Sequence, residues 1–142
     1  MNRSLMINNL LFMVGTPYLW DGWGLNGTDC SGLQSYALDL PIKYSAKQLH
    51  DRYKNNAVEK AQAAPGTLFF YGANGVVDHV MSVLRHWPNG GMVLIGACHG
   101  DSTTTTLDRA RQQGAFVMTQ PDTYWTSAFI GALDPFAGQE NI

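Results

Sequence analysis

Two apolar runs rich in valine and methionine, Asp78 to Arg85 and Met92 to Cys98, flank the segment Pro88-Asn89-Gly90-Gly91. Proline and glycine at a reversal between β-forming runs predict an antiparallel hairpin. That hairpin constrains the rest of the chain, because two strands alone are barely stable in water and must recruit more strands or helices. Candidates lie on both sides. Pro65-Gly66 marks a turn before the short aromatic run Thr67 to Tyr71, and Ala115 to Thr119 and Ser127 to Leu133 read as the last strands. Side chains alternate along a strand, so His79, Met81 and Val83 share one face of their strand, and Val80, Ser82 and Leu84 share the other.

Helical patterns fill the first third. Ser4 is expected to cap a helix over residues 5–14 that Gly15 ends. It is apolar on most sides, so it is expected to be well buried. A second helix starts near Asp29 or Cys30, with Leu33, Ala37 and Leu40 at helical spacing and Pro41 as its stop. Ser45-Ala46-Lys47-Gln48 reads as a capping box opening a polar helix through about residue 55. Residues 99–106 form a polar loop, and Leu107 to Gln113 a short helix ended by Gly114. Helices first and an antiparallel meander after them give the α+β class, and 142 residues suit one domain over 1–142.

Composition narrows the function classes. Hydrophobic residues at 45% and charged residues at 14% favour a packed core over disorder. A net charge of −2 with scattered Lys and Arg argues against a nucleic-acid partner. No apolar run reaches the roughly 18 residues of a membrane span, so no membrane partner is expected. The apolar N-terminal stretch is interrupted by Asn8 and Asn9 and lacks a small-residue cleavage site, so it reads as the first helix and not as an export signal. Cys30 and Cys98 are too few for a disulfide framework and read as thiols. They are also too few and too far apart for a zinc site, so neither metal nor cofactor is expected.

The chemistry concentrates at Thr28-Asp29-Cys30-Ser31-Gly32. A helix N-terminus carries unpaired N–H groups and a partial positive charge. A thiol there loses its proton more readily, and the same N–H groups can hold an oxyanion. Asp29 is placed to cap the helix, and Ser31 and Gly32 are small enough to leave room around the sulfur. A buried structural cysteine is the competing reading of Cys30. His79, at the head of its strand, is the best base for such a thiol, against a role as a satisfied structural histidine. His99 is the candidate for the third group that orients the base, against a solvent-facing loop residue. His50 and His86 read as surface residues. Trp20, Trp23, Tyr71 and Trp125 are either groove-lining aromatics or core and loop anchors.

Taken together, Gly15-Thr16-Pro17-Tyr18-Leu19-Trp20-Asp21-Gly22-Trp23-Gly24, Asp29-Cys30-Ser31-Gly32-Leu33, Pro65-Gly66-Thr67-Leu68-Phe69-Phe70 and Asp78-His79-Val80 resemble the NlpC family of cell-wall cysteine peptidases. The resemblance covers about residues 10–134. It implies a small papain-like fold with the cysteine helix packed on a central antiparallel sheet. It also implies cofactor-free hydrolysis of peptide bonds in peptidoglycan stem peptides, typically between γ-D-glutamate and diaminopimelate or lysine. Carried over, Cys30 is the nucleophile, His79 the base, and Tyr18 the tyrosine whose hydroxyl lies near the sulfur.

The chain departs from the family pattern in places. Thr67 stands where the family often has Asp. Gly96 falls at the third polar position, so His99 would have to substitute from three residues on. Strand alternation puts His99 on the face opposite Gly96 unless the strand bulges or ends first. Other readings of the same resemblance are an amidase cutting between sugar and stem, an acyltransferase with the same Cys–His pair, and an inactive wall-binding or structural module. Action on the cell wall without an export signal implies a phage-encoded component, with virion or tail partners, or another export route.

Overall fold

A computed structural model describes residues 1–139. The helices are α1 (Arg3–Phe12), α2 (Cys30–Ala37), α3 (Ala46–Tyr53) and α4 (Leu107–Gln113). The strands are β1 (Ala57–Val58), β2 (Leu68–Tyr71), β3 (His79–His86), β4 (Met92–Cys98), β5 (Phe116–Pro121) and β6 (Phe129–Leu133). They form one antiparallel sheet in the order β1-β6-β2-β3-β4-β5. The class is α+β, and the hairpin anticipated around Pro88–Gly91 is the β3–β4 pair, both strands of which have a neighbour on each side.

Alternation divides the core into two halves. On the helix side, Leu68, Phe70, Val80, Ile95, Ala97 and Val117 pack against Leu33 of α2, Met6 and Leu10 of α1, and Leu49 of α3. On the far side, Phe69, Tyr71, Met81, Val83, Leu94 and Cys98 form a second cluster with Ala63, Ala128 and Ala132. α2 lies across β3 and β4, with α1 and α3 packed on α2. One polar contact fixes that stacking: Ser82 Oγ donates to Gln34 Oε1 at 2.5 Å, fully buried between strand and helix.

The helix ends differ from the sequence expectation in instructive ways. The side chain of Asn2, not Ser4, caps α1, accepting from Leu5 N at 2.8 Å. α1 is also less buried than its composition suggests. Only Met6 and Leu10 are fully covered, and Phe12 is 71% exposed, because α1 touches the core along one stripe only. α2 stops at Ala37, before Pro41, since Asp39 takes a left-handed turn at φ 54°. The capping box of α3 is present, with Ser45 and Gln48 each bonded to the other's backbone. β1 has no counterpart in the sequence reading: its two residues gain strand geometry only by pairing with β6.

The loop of residues 16–28 is tied to the start of α2 by backbone bonds. Leu19 N donates to Thr28 O at 3.1 Å, Thr28 N to Pro17 O at 3.1 Å, and Asp29 N to Gly22 O at 3.0 Å. Gly32 is small for this reason, and not to clear space around the sulfur. A Cβ there would run into the Gly22 carbonyl and lie 2.7 Å from Thr28 Oγ1. Gly32→Ala is therefore expected to destabilise the fold by about 2 kcal/mol, typical of overpacking against a fixed neighbour. Chemical denaturation reads this directly, and a change within 0.5 kcal/mol would contradict the close approach.

Candidate active site

Cys30 is the first residue of α2 and is 7% exposed. Asp29 caps the helix, its Oδ1 accepting from Gly32 N at 2.7 Å and from Ser31 Oγ at 3.2 Å. Its other oxygen pairs with Lys43 Nζ at 3.0 Å, and Lys43 also reaches Asp21 Oδ1 at 3.3 Å. Burial opposes the Lys43 ammonium, but Asp29 and Asp21 hold its pKa above the ordinary value. Lys43 was not singled out in the sequence, because nothing local in Ile42-Lys43-Tyr44 shows that it folds back onto Asp29. Cys30, Tyr18, Trp20, Asp21, Asp29, Ser31, Lys43, Lys47 and Asp78 line one cleft.

The helix start does not leave the thiol acidic. Burial pushes the Cys30 pKa up to about 12, and the Asp29 carboxylate adds to the rise. The N–H groups of Val80 and Ser31 and the Lys43 charge work the other way. The helix terminus thus contributes as expected and is outweighed by desolvation. Tyr18 is buried in the same region, its ring directly beneath Gly100. Burial, followed by Cys30 and Asp29, raises its pKa well above the ordinary tyrosine value. Tyr18 thus stays a phenol with a proton to donate.

His79 opens β3 beside Cys30's neighbour Val80. Val80 shares the helix-side core with Cys30, while the His79 ring lies on the far face, as strand alternation requires. The ring packs near Tyr71 at 5.8 Å, Tyr124 at 5.8 Å and Trp125 at 6.2 Å between centroids. Its Nε2 is 3.1 Å from Tyr124 Oη. Among the described residues no hydrogen bond joins the ring to the Cys30 sulfur. Burial lowers the His79 pKa to about 4, helped by the charge of His99. At neutral pH both thiol and imidazole are therefore uncharged.

Gly96 and His99 fall at different places. The register pairs Ser82 with Ile95, which sets Met81 opposite Gly96. The Met81 sulfur fills the space a Gly96 side chain would take. β4 ends at Cys98, and His99 turns left-handed at φ 70°. The exposed His99 ring has Gln120 Nε2 3.3 Å from its Nε2, and no hydrogen bond joins it to His79 among the described residues. The buried Thr67 hydroxyl, where the family often has Asp, has no hydrogen-bond partner among the described residues.

The other aromatic and histidine candidates also separate. Tyr71 is fully buried in the far-side core, with Trp125 stacked on it at 6.0 Å. Trp20, Trp23 and Trp125 are between 41% and 53% exposed. His50 and His86 are half-buried and not simply surface residues: His50 packs edge-on to Phe70 at 5.0 Å, and a His86 ring nitrogen bonds Ala63 O at 2.6 Å.

Cys30 thus stands at a helix start packed on an antiparallel sheet whose strand β3 His79 opens. The chain belongs to the NlpC/P60 family, whose sequence pattern matches residues 15–134. Its fold is similar to that of the NlpC/p60 domain of the peptidoglycan hydrolase SagA, at 23% identity, TM-score 0.65, and 94% and 99% coverage of the two chains. It is also similar to the peptidoglycan hydrolase RipB from Mycobacterium tuberculosis, at 23% identity, TM-score 0.60, and 92% and 63% coverage. RipD from the same organism, a non-catalytic NlpC/p60 domain protein adapted to peptidoglycan binding, is 26% identical with a TM-score of 0.58, at 93% and 95% coverage. The chain spans only 45% and 43% of NlpC2 and NlpC1 from Trichomonas vaginalis. No curated protein sequence matches it.

Two measurements check the electrostatics. With its pKa near 12, Cys30 is expected to react with iodoacetamide at pH 7 at least about tenfold more slowly than a free peptide thiol, as peptide mass mapping would resolve. Asp29→Asn keeps a capping side chain but removes the charge that raises the thiol, so alkylation should speed up. A Cys30 that matches or outpaces the free thiol contradicts this. The second concerns His79. Its pKa falls from 6.5 to about 4 on folding. Between those values the unfolded chain binds more protons, so this contribution is present above pH 6.5 and is lost as pH falls toward 4. Thermal unfolding should show about 3 kcal/mol of acid-side loss that His79→Gln removes. Identical pH dependence in both proteins would contradict the shift.

Proposed function

We propose that this chain is a cysteine peptidase domain that hydrolyses peptide bonds in peptidoglycan stem peptides at the bacterial cell wall. The observation that carries the reading is Cys30 itself: a thiol at a capped helix start, lining a cleft. Family membership and the likeness to SagA and RipB support the substrate class.

In this reading the neutral His79 imidazole takes the Cys30 proton as the sulfur attacks the γ-carbonyl of a D-glutamyl residue. A general base is needed because the resting thiol is protonated. The Cys30 backbone N–H and the Tyr18 hydroxyl hold the oxyanion, where one donor is worth about 3 kcal/mol. His79 returns the proton to the departing amine, then activates water to release the acyl group. Asp29 and Ser31 order the helix start beneath these steps.

A second reading, a wall-binding domain without catalysis, is favoured by particular observations. Both titrating groups are neutral by wide margins, Met81 fills the space at Gly96, and RipD shows the family can serve binding. Muropeptide masses after incubation with purified sacculi separate the two. The peptidase reading predicts new stem-cleaved fragments with the native chain and none with Cys30→Ala. An unchanged profile, with both proteins retained on the sacculi, supports the binding domain and contradicts the peptidase.

A further inference from the structure

The fold leaves one question about its candidate base: what steadies His79. Gly96 supplies no group, and the His99 ring is turned to Gln120. On the far face of the sheet a different set surrounds the imidazole. Tyr71 flanks it from β2, and Tyr124 and Trp125 from the segment after β5, with His99 near enough for its charge to act on the ring. No carboxylate is hydrogen-bonded to the ring among the described residues.

We propose that Tyr124 is the positioning residue for His79, holding Nε2 through its hydroxyl and leaving Nδ1 as the nitrogen that exchanges protons with Cys30. This rests on His79 being the base of the proposed peptidase. The Tyr124 Oη–His79 Nε2 separation of 3.1 Å is a good hydrogen bond, and Nδ1 has no hydrogen-bond partner among the described residues. For Nδ1 to take the Cys30 proton, Tyr124 Oη must accept from the ring's Nε2–H. The neutral ring then carries its proton on Nε2, and Nδ1 keeps the free lone pair a base requires. Burial holds Tyr124 protonated far beyond neutral pH, so this order persists wherever the ring is neutral.

The phenol therefore supplies from the far face of the sheet what strand β4 fails to supply at Gly96. Met81 completes the exchange, since its thioether occupies the space opposite Gly96 where an orienting side chain would otherwise reach the ring.

The test combines imidazole nitrogen NMR with kinetics on sacculi. In the native chain His79 is expected in the Nε2–H tautomer at neutral pH. Tyr124→Phe keeps the edge-on packing on Tyr71 and removes only the oxygen. It should mix the tautomers and lower kcat about tenfold with KM nearly unchanged, as loss of one orienting hydrogen bond implies. Native His79 in the Nδ1–H tautomer overturns the proposal, and so does a Tyr124→Phe chain whose tautomer and kcat match the native. Native protein that leaves sacculi intact sinks the peptidase reading alone, because the tautomer measurement still decides whether Tyr124 holds the ring.

Discussion

The Asp29 carboxylate is the interaction on which the rest of the site depends. One oxygen caps α2 and receives the Ser31 hydroxyl, and the other meets the Lys43 ammonium. Through these bonds one side chain orders the helix start and ties the segment before α3 to it. It also holds Cys30 at the first helical position. The loop of residues 16–28 locks onto the same point, with Gly22 accepting from Asp29 N and pressed against Gly32. The same carboxylate also raises the neighbouring thiol's pKa. Structural order and nucleophile acidity therefore pull in opposite directions at one residue.

That opposition shapes the chemistry of the site. A helix N-terminus lowers a thiol pKa where the sulfur is wet, but here desolvation and a carboxylate outweigh the backbone dipoles. The imidazole is shifted the other way by its own burial. A resting ion pair between them is disfavoured, so proton transfer must accompany attack. In the proposed peptidase, a substrate that displaces water from the cleft and brings its carbonyl under the Tyr18 hydroxyl would supply the missing stabilisation at the moment it is needed.

Much of this was legible in the sequence because it is local. The Asp29 cap, the Ser45–Gln48 capping box and the β3–β4 reversal each depend on residues within a few positions. The alternation of His79 and Val80 across β3 followed from strand geometry alone. What escaped is non-local. Lys43 finds Asp29 from 14 residues away by a fold-back that leaves no periodic trace. Tyr124 reaches His79 from a segment 45 residues on. Gly32 was read for its smallness near the sulfur, whereas its constraint comes from the Gly22 carbonyl, a contact no pattern along α2 reveals. α1 looked buried because its composition counts apolar residues and says nothing of how many faces find a partner.

The central claim is that Cys30 attacks a peptide carbonyl. Rapid acid quench of the protein with a synthetic stem peptide, followed by mass mapping, tests it most directly. The account predicts a transient acyl adduct on the peptide containing Cys30, lost on longer incubation as free product accumulates. Cleavage with the adduct on Cys98 or on no cysteine, or a peptide that binds without being cleaved, would contradict it.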